Sequence, residues 1–130
     1  MAKPFSFGKY RNFTVFNPAS DLEQYDACIE LHRAGEVAQA MKMLRAITVE
    51  YPDFALAYNA LAAFYKKENN MEAAIENMEK YCALVPNDPF GYSVLSAYHI
   101  AAGQRPQAEE ALARANELRF KSQFESRSTG

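Results

Sequence analysis

The feature that most constrains this chain is a spacing of 34 residues at which residues of matching kind recur. Gly35, Asn69 and Gly103 fall in register, as do Ala40, Ala74 and Ala108. Leu44, Met78 and Leu112 share a further slot, and so do Ile47, Tyr81 and Ala115. Pro52 and Pro86 share another, whose third occupant is Phe120. A period of this length denotes one supersecondary unit used repeatedly, each copy leaving apolar surface bare until a neighbour stacks on it.

Inside each unit the apolar residues recur at steps of three and four, which places them on one helical face and excludes strands. Ser20-Asp21-Leu22-Glu23 reads as a capping box, so a helix should start there. Asp53 and Asp88 are expected as N-caps of the next two units, with Pro89 at a first helical position where its missing N–H costs nothing. Asn70 and Pro106 open the second helices of units two and three, and Gly35 and Gly103 end the first helices tightly. The spacing predicts helices over 21–34, 37–51, 55–68, 71–85, 89–102 and 106–119.

Small residues sit where paired helices must approach. Cys28, Ala62 and Ser96 form one such set, and Ala40, Ala74 and Ala108 another. Leu31, Tyr65, Leu44, Met78, Leu61, Leu95 and Leu112 are then expected to fill the remaining space as ridges in grooves.

The pattern resembles the tetratricopeptide repeat, most closely in unit two: Tyr58-x2-Leu61-Ala62-x2-Tyr65, then Ala74-x3-Met78, then Pro86. Unit one departs with the polar Gln24, and unit three with His99 and Phe120. The resemblance implies an all-α, right-handed superhelical solenoid of three helix-turn-helix hairpins, with an extended N-terminal arm preceding it. The expected organisation is an aromatic, basic arm at 1–20, a repeat domain at 21–120 (units 21–54, 55–88 and 89–120) and a flexible tail at 121–130.

The resemblance also implies that the first helix of each unit lines a concave groove that binds a peptide or protein segment. Carried over by position, the groove would present Leu22, Tyr25, Ile29, His32 and Arg33, then Leu56, Asn59, Ala63, Lys66 and Lys67, then Phe90, Ser93, Ala97 and Ile100. Relatives that grip the C-terminal carboxylates of chaperones use lysines, asparagines and an arginine, whereas the matching positions here read Tyr25, Ile29, Ala60, Phe90 and Val94. The expected ligand therefore combines apolar side chains with acidic ones, burial supplying affinity and charge supplying register.

Charge supports a protein partner over nucleic acid. Net charge is −2, but residues 21–118 hold 8 basic against 15 acidic residues and come to −7, which offers no basic stripe for a phosphate backbone. Two cysteines, Cys28 and Cys82, make no disulfide framework and no metal spacing. With neither an apolar leader nor a membrane-length apolar run, the reading is cytoplasmic, with no membrane association and no cofactor. Cys28 and His32 lie four apart, as a nucleophile and base would, yet no third group accompanies them and Cys28 falls in a small packing slot. His99 likewise occupies a packing slot, and Glu72, Glu76, Glu79, Glu109 and Glu110 read as solvated faces. No phosphate loop or nucleophile elbow occurs, and the chain reads as non-enzymatic.

One segment lies outside the repeat. Residues 5–16 carry five aromatic residues and no helical periodicity. Such an arm, with Phe5, Phe7, Tyr10, Phe13 and Phe16, is expected to dock on helical surface, either its own groove or a neighbouring copy, making a homo-oligomer an alternative function; a disordered leader is the plainer reading.

Overall fold

The computed structural model describes residues 20–129, with side chains through residue 125. The docking arm with Phe5, Phe7, Tyr10, Phe13 and Phe16 lies outside these residues. The described chain contains α1 (Asp21–Arg33), α2 (Val37–Glu50), α3 (Ala55–Lys67), α4 (Met71–Leu84), α5 (Pro89–Ala101) and α6 (Arg105–Thr129), with no strand among them. The fold class is all-α, built from helical hairpins at the 34-residue spacing. The described chain divides into two compact units, with the boundary between Met43 and Leu44.

In the first unit the capping box forms as the sequence requires. The Glu23 amide donates to Ser20 Oγ at 3.2 Å and the Ser20 amide donates back to Glu23 Oε1 at 3.0 Å. Cys28, Ala40 and Met41 are buried. Gly35 ends α1 at φ 87°, its amide donating to His32 O at 3.0 Å while the Glu36 amide donates to Leu31 O at 2.9 Å. That pair of bonds is the Schellman closure, which needs a left-handed residue at its corner.

The second unit repeats this closure twice. Asn69 and Asn70 donate to Lys66 O and Tyr65 O, each at 2.9 Å, and Gly103 and Gln104 donate to Ile100 O and His99 O at 3.0 and 2.8 Å. Asn69 adopts φ 64°, a conformation that asparagine tolerates better than other side chains. The Asn70 side chain caps α4 by accepting from the Ala73 amide at 3.2 Å, and Asp88 caps α5 through the Phe90 amide at 3.0 Å.

The core of this unit joins Tyr58 and Ala62 of α3, Ala74, Ile75, Met78, Tyr81 and Cys82 of α4, Leu95 and Tyr98 of α5, and Ala111 of α6. Helix α3 packs on α4, α4 on α5, and α5 on α6. The small slots are all buried, Ala62, Ser96, Ala74 and Ala108 among them. Buried polar atoms are pinned: Ser96 Oγ donates to Ala108 O at 2.8 Å, His99 Nδ1 pairs with Gln104 Oε1 at 2.7 Å, and the Tyr81 hydroxyl donates to Asp88 Oδ2 at 2.7 Å. His99 is thus a packing residue with a local polar partner. Gly91 marks a close approach of α5 to α4, since a Cβ there would stand 3.0 Å from the Tyr81 ring and 3.1 Å from Cys82 Sγ.

Three expectations are corrected. Asp53 is not a cap: α3 is preceded by Phe54, which makes no side-chain cap bond. Asp88 lies 34 residues after Phe54, so the repeat register assigns the cap slot to Phe54. Leu112 does not fill a core: it is 45% exposed, whereas its equivalents Leu44 and Met78 are 0% exposed. Helix α5 follows α4 and packs on it, closing the core in which Met78 lies, and among the described residues no helix follows α6. Finally, the chain beyond 120 is helical rather than a flexible tail, because α6 runs to Thr129. Phe120 replaces the proline of the earlier units, no glycine or proline follows before Gly130, and the Phe120 and Phe124 rings stack at 6.4 Å along one face.

Candidate functional site

The fourteen groove positions all fall on α1, α3 and α5, and none of them is buried. In the first unit, Leu22 and Arg33 are exposed while Tyr25, Ile29 and His32 are half-buried. Arg33 is paired with Glu30 at 2.7 Å. Burial, helped by the nearby Cys28 and Asp26, raises the Tyr25 phenol above its ordinary range.

In the second unit, α3 and α5 each present a face of the same design. Leu56 and Phe90, 34 residues apart, stand at the helix starts, and Phe90 is 51% exposed. Asn59 and Ser93 are half-buried at the next turn, and Ala63 and Ala97 follow as small exposed positions. The far ends differ: α3 ends in the exposed pair Lys66 and Lys67, and α5 presents Ile100, 52% exposed. Each face is apolar at one end, smooth in the middle, and on α3 cationic at the other. Leaving such apolar side chains bare costs solvation free energy that a covering partner would recover.

The register did not point to two residues of α6 that reach α5. Arg119 donates through one guanidinium nitrogen to Asn116 Oδ1 at 3.1 Å and through the other to Ser93 Oγ. Arg114 lies over the Tyr92 ring at 5.7 Å from its centre and pairs with Glu117 at 3.2 Å. The only signal for Arg119 is that it replaces Val85 of unit two in the 34-residue register. Val85 packs against the core.

Burial pushes the Cys28 thiol up to about 12, so it stays protonated near neutrality and lacks the thiolate a nucleophile needs. No group of three or more His, Cys, Asp or Glu among the described residues could hold a metal ion. The acidic residues face solvent: Glu76 pairs with Lys80 at 3.8 Å and Glu109 with Arg105 at 3.6 Å. No described helix is long and apolar enough to cross a membrane.

No family model matches the sequence, and no curated protein matches it. Solved structures do match. MamA superposes with a TM-score of 0.74 at 22% identity, over 81% of this chain and 61% of that one. The Yersinia enterocolitica type III secretion chaperone SycD, solved in complex with a peptide of the translocator YopD, gives a TM-score of 0.70 at 21% identity, over 85% of this chain and 87% of that one. The CopN–Scc3 complex gives 0.70 at 16% identity, over 82% of this chain and 67% of that one. This chain spans about six-tenths of the length of the MamA chain it matches. At these identities the likeness is one of fold, and it is the fold of tetratricopeptide-like helical solenoids.

Proposed function

We propose that this protein is a non-enzymatic interaction module that binds a segment of another polypeptide on the exposed faces of its first helices. The observation that carries the reading is the pair of matched faces on α3 and α5, where Leu56 and Phe90 stand exposed at equivalent positions, each followed by a small exposed alanine. Residues placed for core packing would be covered, as Ala57, Leu61 and Leu95 of the same helices are. Leu22, Tyr25, Ile29, His32 and Arg33 are the corresponding positions on α1. The structural neighbours support the reading by their own complexes, SycD with a YopD peptide and Scc3 with CopN. The segment that suits these faces pairs apolar side chains with acidic ones, since Lys66 and Lys67 attract carboxylates while Leu56 and Phe90 gain from burial.

The test compares the wild-type chain with a Tyr25→Ala, Phe90→Ala variant. Proteins retained by the wild-type chain in a pull-down should be lost with the variant, while the thermal midpoint changes little. A variant that unfolds early would place these side chains in the core, and one that retains the same proteins would place binding elsewhere.

A further inference from the structure

In the second unit Arg119 is a cation that the 34-residue register does not assign to the candidate face but that reaches it through Ser93. Arg119 is exposed, yet its guanidinium is fixed at both ends by neutral oxygens, Asn116 Oδ1 on its own helix and Ser93 Oγ on α5. Four other cations of the described chain, Arg33, Lys80, Arg105 and Arg114, are neutralised by carboxylates of their own helices. Arg119 makes no ion pair among the described residues. It is therefore a positive charge held in one orientation with its countercharge unsupplied, and Arg presents a planar fork suited to carboxylate oxygens.

Its position decides what it could recognise. Ser93 lies one turn after Phe90 on the same side of α5, so their Cβ atoms stand roughly 5–6 Å apart. Phe90 is half exposed. A cation and a bare aromatic ring thus sit side by side at the start of α5, on the candidate face. In unit two the equivalent of Arg119 is Val85, which packs against the core. The exchange of an apolar residue for arginine at this slot converts a packing position into a charged edge.

We propose that Arg119, with Ser93 and Phe90, forms an anion subsite that takes a carboxylate adjoining a large apolar side chain of the bound segment. This rests on the reading of the α3 and α5 faces as the binding surface. The arginine carries the charge, Ser93 and Asn116 hold it in place at no cost in countercharge, and Phe90 covers the neighbouring apolar group. The carboxylate could be an Asp or Glu side chain or a chain terminus; the chemistry at Arg119 is the same.

The experiment pans a random peptide library on the full wild-type chain and measures synthetic copies of the enriched peptides by fluorescence anisotropy. The expected peptides carry a carboxylate next to an aromatic or branched aliphatic residue. Arg119→Gln should weaken their binding roughly ten- to a hundredfold, the range of a charge-assisted hydrogen-bonded pair. Arg119→Lys should retain part of the affinity, and Ser93→Ala should cost less than Arg119→Gln. Replacing the peptide's acid by its amide should cost the wild-type chain as much as Arg119→Gln does, and should cost the Arg119→Gln variant nothing further. Amidating the peptide terminus separates a terminal carboxylate from a side-chain one. Circular dichroism of each variant shows whether the fold is retained. Peptides that depend on Phe90 but lose nothing with Arg119→Gln overturn the subsite and leave the binding face standing. Peptides indifferent to both Phe90→Ala and Arg119→Gln, or no enrichment at all, overturn the face and the subsite together.

Discussion

Gly91→Ala tests the packing of α5 on α4 with a single methyl group. In an open helix this exchange stabilises by about 0.5–1 kcal/mol, because glycine surrenders more backbone freedom on folding. Here the new Cβ would stand 3.0 Å from two carbons of the Tyr81 ring and 3.1 Å from Cys82 Sγ, closer than ordinary van der Waals contact. The ring has little room to yield, since it is buried and its hydroxyl is held on Asp88 at 2.7 Å. Overpacking of this kind costs about 1–3 kcal/mol, so the net effect should be a destabilisation of about 1 kcal/mol and a fall in Tm of roughly 3–5 °C. Removing the hydroxyl anchor with Tyr81→Phe should let the ring move and reduce the cost of Gly91→Ala in that background. Urea unfolding of the four proteins of the cycle measures both quantities. A Gly91→Ala protein as stable as the parent, or an equal cost in the Tyr81→Phe background, would refute the argument.

Two further outcomes follow from the turns and the buried titratable groups. Gly103→Ala should destabilise by about 1 kcal/mol, because Gly103 sits at φ 77° with open space around its Cα, leaving conformational strain as the sole penalty; Asn69→Gly at the equivalent slot should be neutral or mildly stabilising, and thermal melts of both report it. Burial holds the thiols of Cys28 and Cys82 up at about 12 and about 11 and the phenol of Tyr81 at about 12, the last also through its bond to Asp88. A raised folded-state pKa contributes stability that is fully present below the unfolded value and is lost as pH rises toward the folded one. The urea midpoint should therefore hold to about pH 8, where the thiols begin to ionise in the unfolded chain, and fall between about pH 8 and 12. Cys28→Ala, which installs the residue unit two uses in that slot, should make the fall shallower.

Helix positions were legible because a 34-residue period and a three-to-four-residue apolar step over-determine them: the start of every helix but α6 matches the expectation to the residue, and α6 begins at Arg105, one residue early. Turn chemistry was equally plain where glycine, asparagine or a capping acid marked it. What the sequence hid are properties of particular neighbours. That Leu112 would lie bare depends on the helix that follows it, as Met78 shows by being covered. Asp53 was misread by local preference where the longer register would have chosen Phe54. The tail was read from its polar composition, although a helix already nucleated by packing needs only the absence of a breaker to continue. For the candidate site, the register located the faces of α3 and α5, while Arg119 could not be found that way because its bond to Ser93 spans 26 residues between helices.

The unequal lengths of α5 and α6 have a thermal consequence. Helix α5 has 13 residues and α6 has 25, so at 1.5 Å per residue α6 continues for roughly 18 Å beyond the length of its partner. Among its described side chains Leu118 is the last that is buried, and every position from 119 to 125 is exposed. The packed half supplies the nucleus, and the outer turns add to it one residue at a time with little free energy gained at each step. Warming should shorten this end gradually while the core stays intact. Far-UV ellipticity at 222 nm should then drift upward along a sloping native baseline well before cooperative unfolding begins, and a chain ending at residue 119 should show a flatter one.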